Sequence, residues 1–492
     1  MPTNTRAAII LAIVTLAVGC SDDSSGEQPS PDAADAAADT ASDTTLDASA
    51  DASDTVSDTT SDTVSDTMSD ASTATCALPA PFDHDPAYPI EVWVSPVGDN
   101  TNAGTREAPF ATLEHAASTA VQGTRIHLMA GTYSGGIYLD NLQGTAEAPV
   151  AIVGEEGAVI DGGNTGLQVS DPSYLTIENL TIRNVAQNGL NIDDGGSFDT
   201  PAHHVVVRNV TVEGVGDGGN QDCIKLSGVD DFWVLDNDVS QCSGQGIDMV
   251  GCHDGVIHGN HIHDKPSSGI QAKGGTADIL IHGNRFADVT GRGINAGGST
   301  GLAYFRPQDA PYEGVRIRVV ANVFERVGAA SGAPMAYVGC DACVFAHNTV
   351  IEPKTWVARI LQESTDERFV PSRDGLFVNN IVVFNTADLR NGVFVNVGGN
   401  TAPETFTFAN NLWFALDDPN FSGPSLSGGI PAPQDSIVQQ EPGFADRAGG
   451  DYRIGTDSPA VGAARTLSGE AFPDYDGRCF DDPAAVGAFA AQ

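Results

Sequence analysis

The chain has 492 residues with 65 acidic against 23 basic side chains, a formal charge of −42. Such a balance argues against nucleic acid as a partner, and 55 glycines with 27 prolines argue against an all-helical fold. At 41 % apolar it has the mass for a sizeable core, and its internal repeats favour one long domain over the several that length alone suggests.

Residues 1–20 read as a signal peptide: Arg6 supplies the positive start, Ala7 to Val18 an apolar run too short to span a bilayer, and Ala17-Val18-Gly19 small residues before Cys20. Leu16 and Gly19 ahead of Cys20 resemble the bacterial lipoprotein cleavage box, which implies lipidation of Cys20. Ser21 behind it resembles lipoproteins sent on to the outer membrane, so the expected location is the outer membrane, on its periplasmic or cell-surface side. Residues 21–77 form an Asp/Ser/Thr/Ala linker, of which 21–75 hold 14 acidic residues and no basic one. Asp35, Asp39, Asp43, Asp47 and Asp51, then Asp54, Asp58, Asp62, Asp66 and Asp70, recur at every fourth position. On a helix these carboxylates would stack and repel, so a disordered, self-repelling spacer is expected.

From Val92-Trp93-Val94 to Tyr133 the pattern is a strand, a Gly/Asn turn around Gly104, a short amphipathic helix from Thr112 to Val121, and a second strand. It resembles the N-terminal cap, here 78–135, of secreted bacterial right-handed parallel β-helix proteins of the pectate lyase-like superfamily. The chain downstream carries a matching repeat of an inward apolar residue, two residues, Asn, one residue and another inward apolar residue. It occurs at Asn237, Asn260, Asn284, Asn322, Asn348, Asn380 and Asn411. One such turn cannot bury its own face, but turns stacked about 4.8 Å apart can, with the asparagines as an internal ladder. Uneven spacing implies inserted loops, the longest over about 299–314. Glu441-Pro442-Gly443-Phe444 and Val486-Gly487-Ala488-Phe489, in a C-terminal segment over 440–492, extend the resemblance across 78–492. The expected fold is all-β: a single right-handed parallel β-helix with a short N-terminal capping helix, as a monomer.

Seven cysteines remain besides Cys20. Export permits disulfides, and Cys340-x-x-Cys343 suits a local bridge or a metal. Cys252 and Cys340 share a coil position too far apart to bond, and buried free thiols are expected for most.

A second strand of each turn aligns on inward Leu190, Ile224, Ile247, Ile270 and Ile294. Period-two alternation then points two columns outward: Asn191, Lys225, Asp248, Gln271 and Asn295, and Asp193, Ser227, Val250, Lys273 and Gly297. Asp222 and Arg292 take equivalent positions just before this strand. Residues 265–326 hold eight basic residues (Lys265, Lys273, Arg285, Arg292, Arg306, Arg316, Arg318, Arg326) against five acidic ones. Such a patch would steer an acidic polymer to this part of the stack. Ser268 to Gly274 resembles the strand bearing the catalytic lysine of alginate lyases and chondroitinase B, which implies β-elimination on an acidic polysaccharide with Lys273 as base. Calcium, of which Asp193, Asp222 and Asp248 are the candidate ligands, would neutralise the uronate carboxylate. Ala296 stands where that group has a catalytic arginine; Arg292, Arg306 or Arg359 are candidates to replace it. Asn191, Lys225, Gln271, Asn295 and Tyr304 are the candidate substrate contacts, with Tyr304 and Arg306 on the loop over the groove. Asp222-Cys223-Ile224 and Cys242 to Gly246 also resemble a polygalacturonase site, but the second carboxylate a hydrolase needs is missing. The same face would also suit a non-catalytic glycan-binding surface protein, or a uronan epimerase, which abstracts the same proton. His258, His261, His263 and His282 lie on another face beside Arg285; stacking makes His258 and His282 neighbours that could share a metal, but no carboxylate accompanies them at ligand spacing and they read as surface histidines. Trp93, Trp233, Trp356 and Trp413 read as core or loop packing.

Overall fold

A computed structural model describes residues 76–492, apart from 85, 219–220, 265 and 468–470. The expected signal peptide, Cys20, the expected linker to residue 75 and Lys265 therefore lie outside the described residues. Each coil contributes one strand to each of three parallel sheets, of 14, 10 and 12 strands. The first sheet runs from Ile90–Val94 to Thr407–Ala409, the second from Ile137–Asp140 to Val395–Val397, and the third from Gly131–Ser134 to Ile437–Val438. Strands repeat every coil because inward Val, Ile, Leu and Phe alternate with outward polar residues, and one continuous apolar column from Val94 to Ile430 fills the interior. The helix α1, Leu113–Thr119, buries Leu113 and Ala116 in that column, with the Thr112 hydroxyl accepting from the His115 N–H at its start.

The corner between the first and third sheets is built the same way in coil after coil. The residue before each ladder asparagine adopts a left-handed conformation: Asp236, Gly259, Gly283, Ala321, His347, Asn379 and Asn410 have φ between 51 and 70°. Ala321 and His347 do so at a steric cost of about 1–2 kcal/mol each, which the stack around them must outweigh. The turn places the asparagine inside, where its Oδ1 takes the backbone N–H of the equivalent residue one coil earlier. Asn322 is typical: Oδ1 accepts from Asn284 N at 2.8 Å and Asn284 Nδ2 at 3.0 Å, while Nδ2 donates to Ile281 O, Val320 O and Asn348 Oδ1. The ladder is unbroken from Asn237, which also serves Val210 N, to Asn411.

The segments flanking the coils brace the stack. Ahead of the first strand, buried Asp83 accepts from Arg208 and Thr176, and Phe82 packs on Tyr174, His204 and Trp233 across the first sheet. The C-terminal segment covers the late coils of the third sheet, where Tyr452, Ile454, Val486 and Phe489 form a second core with Val323, Ile351, Ile381 and Leu412. The cysteines differ from expectation, since only Cys252 is a free buried thiol among the described residues. Cys76 pairs with Cys479, Cys223 with Cys242, and Cys340 with Cys343. Cys223 and Cys242 meet across a coil corner with Cα atoms 5.6 Å apart, a geometry that alignment along the stack does not reveal. Trp413 is fully buried, and Trp356 packs under Arg359 and Arg390.

Replacing Asn322 by Leu keeps the volume but strands buried donors and acceptors on three coils. At about 1–3 kcal/mol per orphaned group, we expect a loss of at least about 3 kcal/mol in urea unfolding, with the native far-ultraviolet spectrum retained.

Candidate active site

The second sheet brings the expected residues into register: Leu190, Ile224, Ile247, Ile270 and Ile294 pair across successive strands, and with them Asn191, Lys225, Asp248, Gln271 and Asn295. Stacking at about 4.8 Å forces neighbours in a column to be charge-compatible, and here Lys225, Asp248 and Lys273 interlock. Lys225 Nζ donates to Asp222 Oδ2 at 3.0 Å and to Asp248 Oδ2 at 2.9 Å, while Lys273 Nζ lies 3.7 Å from Asp248 Oδ1. Asp222 and Asp248 are fully buried, and Lys273 is 5 % exposed. Gln245 Nε2 donates to Gln271 Oε1 at 2.6 Å beside them, leaving Gln245 Oε1 and Asp248 Oδ1 as buried acceptors without a hydrogen-bond donor.

This burial sets the electrostatics. It pushes the Asp222 carboxyl up from 3.8 to about 6, with the Asp248 charge adding to the effect and Lys225 opposing it. Burial works against Asp248 as well, yet Lys225 and Lys273 together hold it below the usual carboxylate range. For Lys225, burial is outweighed by the two carboxylates, and its ammonium is held charged.

The inserted loop covers the cluster. Buried Glu313 accepts from Gly274 N at 2.9 Å, Thr300 N at 2.9 Å and Thr300 Oγ1 at 2.8 Å, and also from the Ser364 hydroxyl, pinning the loop to the turn after Lys273. Gly298 approaches so closely that a Cβ there would lie 3.2 Å from Lys273 Cβ. A register shift brings Ala272 opposite Gly297, so Gly297 does not continue the Lys273 column as expected.

Other expected residues are placed differently. Asp193 stands apart from the aspartate pair: Oδ2 accepts from Gln168 and from Asn191, and Oδ1 from Gly195 N. With Lys225 already on the facing oxygens of Asp222 and Asp248, Asp193, Asp222 and Asp248 do not fit calcium, which needs six or more oxygen ligands at about 2.3–2.6 Å. Arg306 turns its guanidinium onto Asp230 and Gly251 O, where it and His253 hold Asp230 ionised against the effect of burial, while its backbone N–H donates to Gly274 O and ties the loop to the turn after Lys273. Arg292 lies one coil on, bonded to buried Asn295 at 2.8 Å and to Glu363 at 2.6 Å. Arg359 joins the same outward column, donating to Asn396 and Ser331 O, and Tyr304 is exposed on the loop. The basic patch does not act as free positive charge: Arg285, Arg316 and Arg326 each pair with a carboxylate, as do Arg292 and Arg306.

Among the described residues, the one group of His, Cys, Asp or Glu whose ligand atoms lie close enough to hold a metal ion is Asp238, His261 and His263 on the third sheet. The histidines therefore do have a carboxylate beside them. His282 is fully buried, with Nε2 donating to Pro473 O, so it is no surface residue. Asp238 and Glu313 escaped the sequence reading. Asp238 was findable, because it follows ladder residue Asn237 as His261 follows Asn260.

A family model described as the Pel9A-like right-handed β-helix region matches residues 92–267. The fold is a right-handed parallel β-helix, similar over these residues to that family. Among solved structures, the pectate lyase Pel9A superposes with a TM-score of 0.50 at 14 % identity, covering 83 % of this chain and 98 % of that one. An uncharacterized Bacillus subtilis protein, YwoF, is 28 % identical over 214 residues, 38 % of this chain and 45 % of its own length. The probable ABC transporter binding protein NosD of Pseudomonas aeruginosa is 29 % identical over 147 residues, 28 % of this chain and 31 % of its own. The chain thus spans less than half the length of these curated relatives.

Because Asp222 takes up its proton more readily when the β-helix is folded, its contribution to stability is greatest below pH 3.8 and is lost as pH rises through about 6. Asp222→Asn should therefore gain stability relative to the native chain between about pH 4 and pH 6. Asp248→Asn leaves buried Lys273 without its one carboxylate and Lys225 with Asp222 alone, and should cost about 3–5 kcal/mol. Denaturant melts of both variants across that pH range check the order.

Proposed function

We propose that this β-helix binds an acidic polysaccharide on the outward face of its second sheet and cleaves it by β-elimination, with Lys273 as base. The observation that carries the reading is the contrast between Lys225 and Lys273. Lys225 is locked by two carboxylates at hydrogen-bond distance, whereas Lys273 has a single carboxylate 3.7 Å away. Lys273 is thus the lysine whose amine is less engaged by carboxylates, and Lys225 the fixed cation that faces a uronate carboxylate in place of calcium. In the reaction the neutral Lys273 amine removes the proton at C5 and the electron pair forms the C4–C5 double bond. The C4–O bond breaks as it forms, and the leaving oxygen takes a proton from water. Asn191, Gln271 and Asn295 offer amides along the same column for sugar hydroxyls, and Arg292 a guanidinium. The Gly297–Glu313 loop, which covers Lys273, must open for a polymer to enter.

The test is absorbance of the unsaturated product during incubation with pectate, alginate and glycosaminoglycans. Lys273→Ala should lower the rate by at least about 10²-fold while binding persists, and a chelator should leave it unchanged. Binding without product at unchanged chain length would move the reading to an epimerase or a binding surface, the latter favoured by the nearly complete burial of Lys273.

We further propose that Cys20 is lipidated and tethers the β-helix to the outer membrane through the acidic spacer. Support comes from the lipoprotein-like residues 16–21 and the self-repelling carboxylates behind them. Cys20→Ala should move the protein from the membrane to the soluble fraction on cell fractionation.

A further inference from the structure

The third sheet presents an arrangement that β-elimination does not use. Strand pairing sets Asp238 opposite His261, and His263 follows on the same outward face two residues later. His261 Nδ1 lies 3.3 Å from Asp238 Oδ2 and His263 Nε2 3.1 Å from Asp238 Oδ1, and all three ligand atoms fall within 4.8 Å of one another. Two donors bound tetrahedrally at about 2.1 Å from a zinc ion stand roughly 3.4 Å apart, so these separations need only small adjustments to admit one. We propose that Asp238, His261 and His263 bind a divalent transition metal of the zinc type, with the remaining coordination position open to solvent or to a ligand.

Three further observations point the same way. The ring of His263 is held from its far side, with Nδ1 3.2 Å from Asp264 Oδ2; this carboxylate–histidine pairing orients an imidazole towards a metal and raises its basicity. The two imidazoles stack at 4.1 Å between centroids, which holds both rings on one side of Asp238. Arg285, the next residue along the column and a cation that would oppose a metal, is instead engaged by Glu325 at 2.8 and 3.0 Å. His261 also lines a cavity of 720 Å³ shared with Arg285, Glu325, Tyr452 and Tyr475, which leaves room beside the site for a ligand on the metal.

The acidic segment over 21–75 is a source of weak, oxygen-only binding, so the experiment separates the two. The full chain, stripped with chelator and held in excess magnesium to occupy carboxylate sites, is titrated with zinc by calorimetry. One tight zinc per chain is expected. His263→Ala and Asp238→Asn should each weaken it at least tenfold, and His258→Ala, outside the cluster, should leave it intact. Thermal unfolding should shift upward with zinc in the native chain and not in His263→Ala. The proposal is overturned if no zinc binds tightly, or if His263→Ala and Asp238→Asn bind as the native chain does. All three replaced residues keep part of their side chains in solvent, so unfolding without zinc serves as the check that each variant folds.

Discussion

A coil of a parallel β-helix cannot satisfy itself. Its strands donate and accept along the stack, and its inward side chains find partners only on the coils above and below. The asparagine ladder carries this dependence through the corner where sheet pairing would otherwise lapse, since each Oδ1 takes the N–H of the previous coil. That requirement explains why the ladder tolerates unfavourable backbone at Ala321 and His347. A buried N–H left without an acceptor costs about as much as the strained turn or more.

The same register governs what the outer faces hold. Equivalent residues stand about 4.8 Å apart, so a charge on one coil must be answered on the next or replaced by a neutral group. Third-sheet columns obey this with Arg285 beside His261 and Glu325 two coils along, and the second sheet with Lys225 between Asp222 and Asp248. The difference is cover. Where the loop pinned by Glu313 lies over the second sheet, pairing becomes burial, which raises both carboxyls, and the second lysine beside Asp248 is what separates its titration from that of Asp222.

Much of this is legible in the amino-acid sequence. The spacing of Asn237, Asn260 and Asn284 and the inward isoleucines fix both the ladder and the second-sheet register, because stacking converts sequence intervals directly into neighbours. The long loop after Gly297 is visible as an interval too long for one coil. What escapes are contacts that run across the stack or arrive from an insertion. Cys223 with Cys242, Glu313 under the loop and Arg306 on Asp230 all join positions whose separation in sequence bears no relation to the repeat. The aspartates stand out, but not that Lys225 takes their oxygens: period-two alternation names the face of a side chain and not the direction of its terminal atoms.

Pairing of the arginines changes how an acidic polymer would meet this surface. With Arg285, Arg292, Arg306, Arg316 and Arg326 each paired locally with a carboxylate, the long-range field is that of the net negative chain, which repels a uronan at distances beyond the Debye length of about 8 Å only weakly and more strongly within it. Recognition of such a polymer would then be short-range, at Lys225 and the buried Lys273, where salt screens least. Added salt suppresses the repulsion on approach while leaving the contacts at Lys225 and Lys273 nearly intact, so the acidity of the domain and the acidity of its proposed substrate are compatible. A cation patch open to solvent would behave oppositely, binding faster at low salt and losing affinity as salt rises.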